Sequence, residues 1–288
     1  MNIVYNHNIK NTIHQLNLVA MPTSTIYFTK NLDRNRFVAG LFSKMRLKIE
    51  EKILIKVNLV SYNPYPTTTH PEMIEAVYNQ VKSDASEIIC GDAHGVDVST
   101  QKLKNHPVIE KCRELGIPFV NFYDHSFQKV KTPRNYTLNV SELPFQQDFI
   151  ISLPILKDHF IVNMTNALKD KFGYLSKTER IKMHAKIKSI DKGIAELNAI
   201  TKSNLIICDA VKVMIQAQEF RHGGIEKDLG YIFAGTDPIA LDYYGFKVLQ
   251  PISIKLKNIS DPAQIKYIKY ALDYGIGSKD YNLEEIEN

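Results

Sequence analysis

Basic and polar side chains follow an apolar run in the segment LPILKDHFIVNMTNALKDKFG, residues 153–173. Lys157 and His159 come directly after residues typical of a buried strand, and a helical pattern is predicted to begin next. An imidazole titrates near neutral pH and can transfer protons, while an ammonium group stabilises developing negative charge. The segment therefore predicts a site for a small anionic molecule at the end of a strand.

The predicted helix after His159 places short polar side chains on one face. At about 100° per residue, one direction collects His159, Asn163, Asn166, Asp170 and Gly173. An amphipathic surface helix gives a similar division of polar and apolar positions. A solvent-facing surface is usually rich in Lys and Glu, however, so the short polar groups favour a binding site, to which Lys169 adds a positive charge.

Strand patterns alternate with helical patterns along most of the chain. Six segments have the apolar, β-branched composition of buried strands, at 53–60, 87–92, 117–124, 149–156, 204–210 and 230–237. Helices are predicted to begin at Pro71, Pro107 and Pro238, because the first helical residue needs no N–H donor. This alternation predicts an α/β fold with a largely parallel sheet flanked by helices.

Residues 158–200 interrupt the alternation and are predicted to form a helical insertion or lid. Apolar positions are sparse in the second half of this segment, so we expect it to be weakly buried, to cover the edge of the sheet and to move. The whole chain, residues 1–288, is predicted to be a single α/β domain or two closely packed lobes.

The carboxyl ends of parallel strands meet at one edge of a sheet, where ligands commonly bind. Lys56 and Asn58 lie two residues apart at the end of the first predicted strand and so share a face. Asp92 ends the second strand. Because an unpaired buried lysine is costly, Lys56 has either a carboxylate partner or a ligand. We expect Lys56, Asp92, Lys157 and His159 to form the catalytic part of one crevice.

Further acidic residues end the other predicted strands, at Asp124, Asp209 and Asp237. In a parallel sheet they would point into the same crevice. Asp209 and Asp237 are also suited to cap the helices predicted to follow them.

Two later segments add candidates for substrate binding. Arg180 and His184 lie one helical turn apart and form either an exposed basic face or an anion clamp, with His184 a second candidate for proton transfer. Gly223 and Gly224 allow a loop to close over a substrate, or form a simple turn. His70, in the sequence TTTHPE, is a further candidate.

Composition excludes several classes of protein. Apolar residues make up 44% and charged residues 23% of the 288 residues, as in soluble globular proteins. The net charge of +5 is dispersed, which is untypical of a nucleic-acid-binding protein. No apolar run approaches the ~18 residues of a membrane span, and residues 1–16 lack the pattern of a secretory signal.

Cysteine usage and the absence of nucleotide motifs leave the cofactor unknown. Cys90, Cys112 and Cys208 are far apart and form no CxxC pair, so the sequence contains no local iron–sulfur or zinc-ribbon motif. Buried free thiols are typical of a reducing compartment, and a cytoplasmic location is predicted. No GxGxxG or Walker sequence is present.

Nine segments, in order, resemble the family known as domain of unknown function 362. They are IKVNLV, TTTHPE, CGDAHG, LPILKDH, VNMTNALKDKFG, RIKMH, IICDAVKVM, the HGG segment and AGTDPIALD, and they cover residues 50 to 250. Val57 departs from the family's usual Pro, and Ala210 from its common Gly. The resemblance implies an enzyme-like α/β domain often associated with redox chemistry; many members carry a cysteine-rich ferredoxin-like module, for which this sequence lacks the motif.

Three functions are compatible with these residues. The first is an enzyme that acts on a small anionic or enolisable organic molecule by Lys, His and Asp acid–base and electrostatic catalysis, including reduction with a separate electron-donor protein. The second is a non-catalytic carrier of an anionic metabolite or cofactor. The third is a metal-dependent redox isomerase, since the layout is similar to that of the lactate racemases; its ligands would come from His70, Asp92, His94, His159 and His184. No metal site is assigned.

Overall fold

The computed structural model describes residues 23–49 and 51–287. Its helices are α1 (Arg34–Met45), α2 (Pro71–Val81), α3 (Pro107–Glu114), α4 (Ala167–Asp170), α5 (Lys177–His184), α6 (Ile190–Ile200), α7 (Pro238–Leu249) and α8 (Lys266–Asp273). Its strands are β1 (Ser24–Thr29), β2 (Lys52–Val57), β3 (Glu87–Asp92), β4 (Phe119–Asn121), β5 (Phe127–Lys131), β6 (Thr137–Ser141), β7 (Phe149–Leu153), β8 (Ile155–His159), β9 (Asn163–Thr165), β10 (Leu205–Ile215), β11 (Ile225–Gly235) and β12 (Tyr281–Glu285). The prediction concerning residues 1–16 lies outside the described residues.

The main sheet has the strand order β12-β1-β11-β10-β7-β2-β3-β4, with β8 paired to β10 and β9 to β8. The run from β10 through β7, β2 and β3 to β4 is parallel, as predicted for an α/β fold. The strand predicted at 230–237 is part of β11, which pairs with β10 in the antiparallel direction. Its end at Gly235 lies beside Ile206, at the start of β10, and therefore at the opposite edge of the sheet from the other strand ends.

Alternation along the strands divides the core into two layers. In β2, Ile53, Ile55 and Val57 belong to the apolar cluster that includes residues of α1, α2 and α3. Leu54 belongs to the cluster on the other face, which includes residues of α4, α6, α7 and α8. Lys56 continues the alternation of Leu54, so its side chain enters the second layer.

The predicted helix starts are confirmed. Pro71, Pro107 and Pro238 are the first residues of α2, α3 and α7. Asp237 caps α7 by accepting hydrogen bonds from Ile239 N at 2.8 Å and Ala240 N at 3.1 Å. No helix in the described part of the chain has both the length and the apolar character to cross a membrane.

The prediction that residues 158–200 are helical throughout is wrong in its first part. His159 ends β8, the chain reverses, and β9 pairs with β8 before α4 begins. The reversal is a three-residue hairpin loop followed by Asn163 at φ 72°, a left-handed conformation that Asn tolerates. In the second part, most residues between Lys177 and Ser189 are exposed, but Ile194 and Leu197 of α6 are fully buried.

Candidate functional site

The order of the parallel strands reverses between β2 and β7. The chain passes from β2 to β3 and β4 on one side, and β7 then adds to the other side of β2. Thr69 joins the two strand ends, because its hydroxyl donates to Leu153 O and accepts from Asn58 N, both at 2.8 Å. In open α/β sheets, ligands bind in the crevice at such a reversal.

A cavity of about 290 Å³ opens at this edge. Its walls come from the ends of β2, β3 and β8, from α4 and α5, and from the loop between β10 and β11. Seven of the predicted site residues line it, and six of them are Asn58, Asp92, Lys157, His159, Lys169 and Arg180. His184, a seventh, lines it from the exposed end of α5.

Lys56 lies beneath the cavity and is completely buried. Its Nζ is 3.0 Å from Asp92 Oδ1 and 3.2 Å from Asp170 Oδ1, and it donates to Val57 O at 2.8 Å. The carboxylate-partner alternative is therefore the arrangement that the structure shows. Burial opposes the charged form of this lysine, but the two carboxylates raise its pKa above the usual value.

Asp92 and Asp170 share this one lysine and both line the cavity. Asp92 Oδ2 also accepts a hydrogen bond from Leu59 N at 2.7 Å. Asp170 Oδ2 is buried and has no hydrogen-bond partner among the described residues. Burial, and then the neighbouring Asp92, raise the pKa of Asp170 to about 6, against the opposing effect of Lys56. Asp170 is therefore suited to exchange a proton near neutral pH.

Gly173 allows the carboxylate of Asp92 to approach the chain after α4. A Cβ atom at this position would lie 2.0 Å from Asp92 Oδ1 and 3.3 Å from Lys56 Cε. These contacts exclude any side chain unless the ion pair moves. The glycine in DKFG is thus required by packing against the site and not by a turn.

Lys157 lies in the cavity wall without a carboxylate at ion-pair distance among the described residues. Its Nζ donates to Asn58 Oδ1 at 3.0 Å and to Thr67 O at 2.7 Å. Burial lowers its pKa to about 8. The lysine therefore remains mostly protonated at neutral pH and is held in place by neutral oxygens.

Lys169 is partly exposed, lines the same cavity, and has no hydrogen-bond acceptor or ion-pair partner in the described part of the chain. Its Nζ lies 4.9 Å from the centroid of the Phe172 ring. Desolvation, followed by the positive charges of Arg180 and Lys157, lowers the pKa of Lys169 to about 7. A bound anion would oppose the repulsion from both neighbours.

Arg180 is fixed by one of its terminal nitrogens. Nη1 donates to Ala93 O at 3.0 Å, to His94 O at 2.8 Å and to Tyr123 Oη at 2.7 Å. Nε is buried and, like Nη2, has no acceptor among the described residues. Arg180 is 5% exposed, so the alternative of an exposed basic face is wrong for this residue. Of the two atoms on the free edge of the guanidinium, Nη2 is the one that remains accessible to a bound anion.

The two histidines of the cavity have opposite tautomers. His159 Nδ1 accepts hydrogen bonds from Ile161 N at 3.1 Å and Val162 N at 3.4 Å, so the neutral ring carries its proton on Nε2. Burial and nearby lysines lower the pKa of His159 well below its usual value. His184 Nδ1 lies 2.7 Å from Arg180 O and donates to it, which leaves Nε2 unprotonated. His159 therefore offers a hydrogen-bond donor, and His184 a base.

A chain of ion pairs closes one side of the cavity. Arg221 binds Asp97, in the loop after β3, at 2.7 and 3.1 Å. It also binds Glu219 at 2.6 and 3.1 Å, so that it bridges the loops after β3 and β10. Both carboxylates line the cavity and are paired with this one arginine, as Asp92 and Asp170 are paired with Lys56. Lys157, Lys169 and Arg180 remain without a paired carboxylate among the described residues.

Several predicted residues lie outside the cavity. His70 accepts a hydrogen bond from Glu72 N at 3.2 Å and caps α2. Asn163 lies at the β8–β9 turn, and Asn166 donates to Leu241 O at 3.0 Å within the core.

The two glycines of the β10–β11 loop also lie outside the cavity. Gly223 ends a short helical turn at φ 81°, and Gly224 packs against Met214 and the carbonyls of Ala217 and Glu219. Asp124, Asp209 and Asp237 also lie outside it; Asp209 binds Arg34 at 2.7 Å.

Sequence reasoning did not assign roles to Asp170, Glu219 or Arg221. Asp170 follows Lys169 directly and was visible as a polar residue on the predicted helix face. Glu219 and Arg221 directly precede the HGG segment, but the conformation of the β10–β11 loop has no periodic signal in the sequence. The adjacent basic and acidic residues in QEFRHGG were the available clue.

The side chains do not fit a protein-held metal ion. No group of three or more His, Cys, Asp or Glu side chains in the described ranges converges on a point where a metal could bind. Both ring nitrogens of His94 are engaged, Nδ1 with Gly95 O at 2.9 Å and Nε2 with Thr100 Oγ1 at 3.0 Å.

The parallel centre, the reversal at β2 and β7, and the polar cavity at their carboxyl ends define an α/β protein with a polar cavity at one edge of its sheet. The chain belongs to the family described as "Domain of unknown function (DUF362)", whose model matches residues 53–247. The resemblance carried by the nine sequence segments is thereby confirmed.

Two known proteins illustrate the similarity. A thylakoid-associated protein of Synechocystis sp. (strain ATCC 27184 / PCC 6803 / Kazusa) is 24% identical over 209 residues, 71% of this chain and 64% of that protein. The chain thus spans about 64% of the length of this relative. The lactate racemase apoprotein from Thermoanaerobacterium thermosaccharolyticum matches 79% of this chain and 57% of its own, with 12% identity and a TM-score of 0.50, and so shows a shared α/β fold.

Proposed function

We propose that this protein is an enzyme that removes and returns a proton on a small organic anion bound in the cavity at the β2–β7 reversal. The observation that carries the proposal is the combination of unpaired basic groups with groups that titrate near neutral pH. Arg180 and Lys157 supply positive charge, while Asp170 and Lys169 have pKa values of about 6 and about 7. Such perturbed groups are typical of active sites.

The proposed roles follow from the hydrogen bonds. Arg180 binds the anionic group through its free edge, and Lys157 stabilises the negative charge that develops when a proton leaves. His159 donates from Nε2 to a substrate oxygen, since its ring stays neutral. His184 is one base, because its Nε2 has no hydrogen-bond donor in the described residues. Asp170, whose unpartnered Oδ2 is enclosed behind the cavity wall, is a second base that a substrate reaches when this wall moves.

A carrier of an anionic metabolite would need the same basic groups but no proton transfer. Deuterium exchange distinguishes the two functions. Short oxo and hydroxy carboxylic acids that bind, as measured by calorimetry, are incubated with the protein in D₂O and followed by proton NMR. The enzyme would replace a carbon-bound hydrogen by deuterium, whereas a carrier would bind without exchange.

Variants separate binding from chemistry. Arg180→Gln should weaken binding about 10-fold or more, since a hydrogen bond to a charged group contributes about 1.5–3 kcal/mol. Asp170→Asn should retain binding and lose exchange. Arg36, which lies exposed on α1, provides the matched control, and Arg36→Gln should change neither. Exchange at the wild-type rate in Asp170→Asn would contradict the proposed role of this residue.

A further inference from the structure

We infer that Lys169 is a nucleophile that forms an imine with the carbonyl carbon of a short oxo carboxylic acid, whose carboxylate is bound by Arg180. The inference rests on the proposed function and adds a covalent step and a substrate class to it. Proton removal beside the former carbonyl would then proceed from the imine, which is a better electron acceptor than the ketone once protonated.

The positions of the two basic groups support this assignment. Lys169 Nζ lies 4.9 Å from the centroid of the Phe172 ring, and Arg180 Cζ lies 5.5 Å from the same centroid. The two groups are therefore no farther apart than the sum of these distances. Both line the same cavity, so we expect the carbonyl and carboxylate groups of one short oxo acid to lie between them.

A nucleophilic lysine must be unprotonated, which is favoured when no hydrogen-bond acceptor or carboxylate stabilises its ammonium form. Lys169 has no acceptor or ion-pair partner in the described part of the chain, and its pKa, lowered to about 7, makes the unprotonated amine available near neutral pH. Lys157, in contrast, is held by Asn58 and Thr67 and keeps a pKa of about 8. Lys157 is better suited to remain a cation.

Lys171 shows why geometry, and not acidity alone, selects Lys169. Burial lowers the pKa of Lys171 to about 7 as well. Its Nζ, however, donates to Thr201 O at 2.7 Å, and the residue does not line the cavity. Lys171 therefore serves as a matched control with a similar pKa but no access to the ligand.

The reaction needs no oxidant or reductant. The Nζ lone pair bonds to the carbonyl carbon, and the carbonyl oxygen takes up a proton to give a carbinolamine. Loss of that oxygen as water leaves the C=N bond, so that one amine and one oxo acid give one imine and one water. Asp170, which lines the same cavity and has a pKa of about 6, is suited to protonate the leaving oxygen.

Reductive trapping tests the inference. The full chain is incubated near pH 7 with pyruvate, acetoacetate or acetone in the presence of sodium cyanoborohydride, and intact mass and peptide mapping follow. We expect one adduct per chain at Lys169 with one of the two acids, of the mass of the acid plus two hydrogen atoms less one water. Acetone, which lacks a carboxylate, should label at least 10-fold less.

Variants complete the test. Lys169→Arg should abolish the adduct, Lys171→Arg should leave it unchanged, and Arg180→Gln should reduce it at least 10-fold. Labelling spread evenly over surface lysines, or no adduct at Lys169 in the wild-type chain, would overturn the inference. If the acids bind and exchange deuterium without an adduct, the imine step is wrong while the proposed function stands; if no anion binds or exchanges, the proposed function fails.

Discussion

Lys56 Nζ lies 3.2 Å from Asp170 Oδ1, in a position where both side chains are fully enclosed by protein. The same Nζ is 3.0 Å from Asp92 Oδ1, so that one buried cation is paired with two carboxylates of the cavity. The acidity of Asp170, and hence its use as a base, depends on this lysine, which lies beneath the cavity and does not line it.

Removing the charge of Lys56 should therefore destabilise the fold. Lys56→Met leaves two buried carboxylates without a cation, and the loss of one partner from a buried pair costs about 3–5 kcal/mol. Urea denaturation at pH 7.5 measures the free energy of unfolding. Lys269 forms an exposed pair with Asp273, and Lys269→Met is a control expected to have a much smaller effect. Equal effects of the two substitutions would show that the buried pairs do not stabilise the fold.

Lys171 should make stability depend on pH. Its pKa is about 7 in the folded protein and about 10.4 in an unfolded chain. Between these values the unfolded chain binds a proton that the folded one does not, so stability rises with pH in this window. Lys171→Met should therefore stabilise most below pH 7, with a gain that shrinks towards pH 10. Denaturation at pH 6.5, 8 and 9.5 measures the slope; Lys202→Met, at an exposed position, should leave it unchanged.

Gly173→Ala should disturb the site as well as the fold. The added Cβ would meet Asp92 Oδ1 at 2.0 Å, and overpacking of this kind costs about 1–3 kcal/mol. Gly116 has φ 71° and no atom within 4 Å of a Cβ built there. Gly116→Ala should lower stability by about 1 kcal/mol through backbone strain and leave anion binding intact. Unchanged anion affinity in Gly173→Ala would contradict the proposed contact.

The opposite tautomers of His159 and His184 are measurable by NMR. Long-range proton–nitrogen spectra should show His159 protonated on Nε2 and still neutral at pH 6, because its pKa is well below the usual value. His184 should be protonated on Nδ1 when neutral and should titrate below its usual pKa, since desolvation opposes its charge. A charged His159 ring at pH 6 would rule out its role as a neutral donor.

Anion affinity should fall as pH rises through the pKa values of the cavity lysines. Lys169 and Lys157 have pKa values of about 7 and about 8, and the protonated forms attract the anion. Sulfate, whose charge is constant from pH 6 to 9, is a suitable probe for calorimetry. Affinity should be greatest at pH 6, decrease by pH 9, and be accompanied by proton uptake at pH 7.5. Lys169→Met should weaken the pH dependence, and a flat profile in the wild-type chain would contradict these assignments.

The basic part of the site was predictable because strands have a short period. In β8, alternation puts Lys157 and His159 on one face, and turns Asp158 away towards Ser253, whose hydroxyl is 2.6 Å from it. Along β2 and the residue that follows it, the same alternation places Lys56 on the same face as Leu54 and Asn58. A helix start marked by His-Pro or Asp-Pro is equally local, since the cap and the first turn are adjacent in sequence.

The partners of these residues were not predictable, because they depend on which strands become neighbours. Lys56 meets Asp170 only because the chain after β9 returns over the end of β2, 114 residues further on. The prediction that His159, Asn163 and Asn166 share one face of a helix was wrong, because a β-hairpin replaces the first turns of the predicted helix. Periodicity alone does not distinguish a short apolar hairpin from a helix.

The sequence by itself determined the parallel centre, the edge at which the site lies and most of its basic residues, because these follow from local periodicity and capping. Tertiary structure decided the electrostatics. It placed Lys56 between Asp92 and Asp170, and Arg221 between Asp97 and Glu219. It also placed Lys169 in the same cavity as Arg180, with no carboxylate at ion-pair distance from Lys169 among the described residues. The physical reason is that the acidity of a buried group depends on its desolvation and on charges within a few ångströms, and both are fixed only when distant segments pack together.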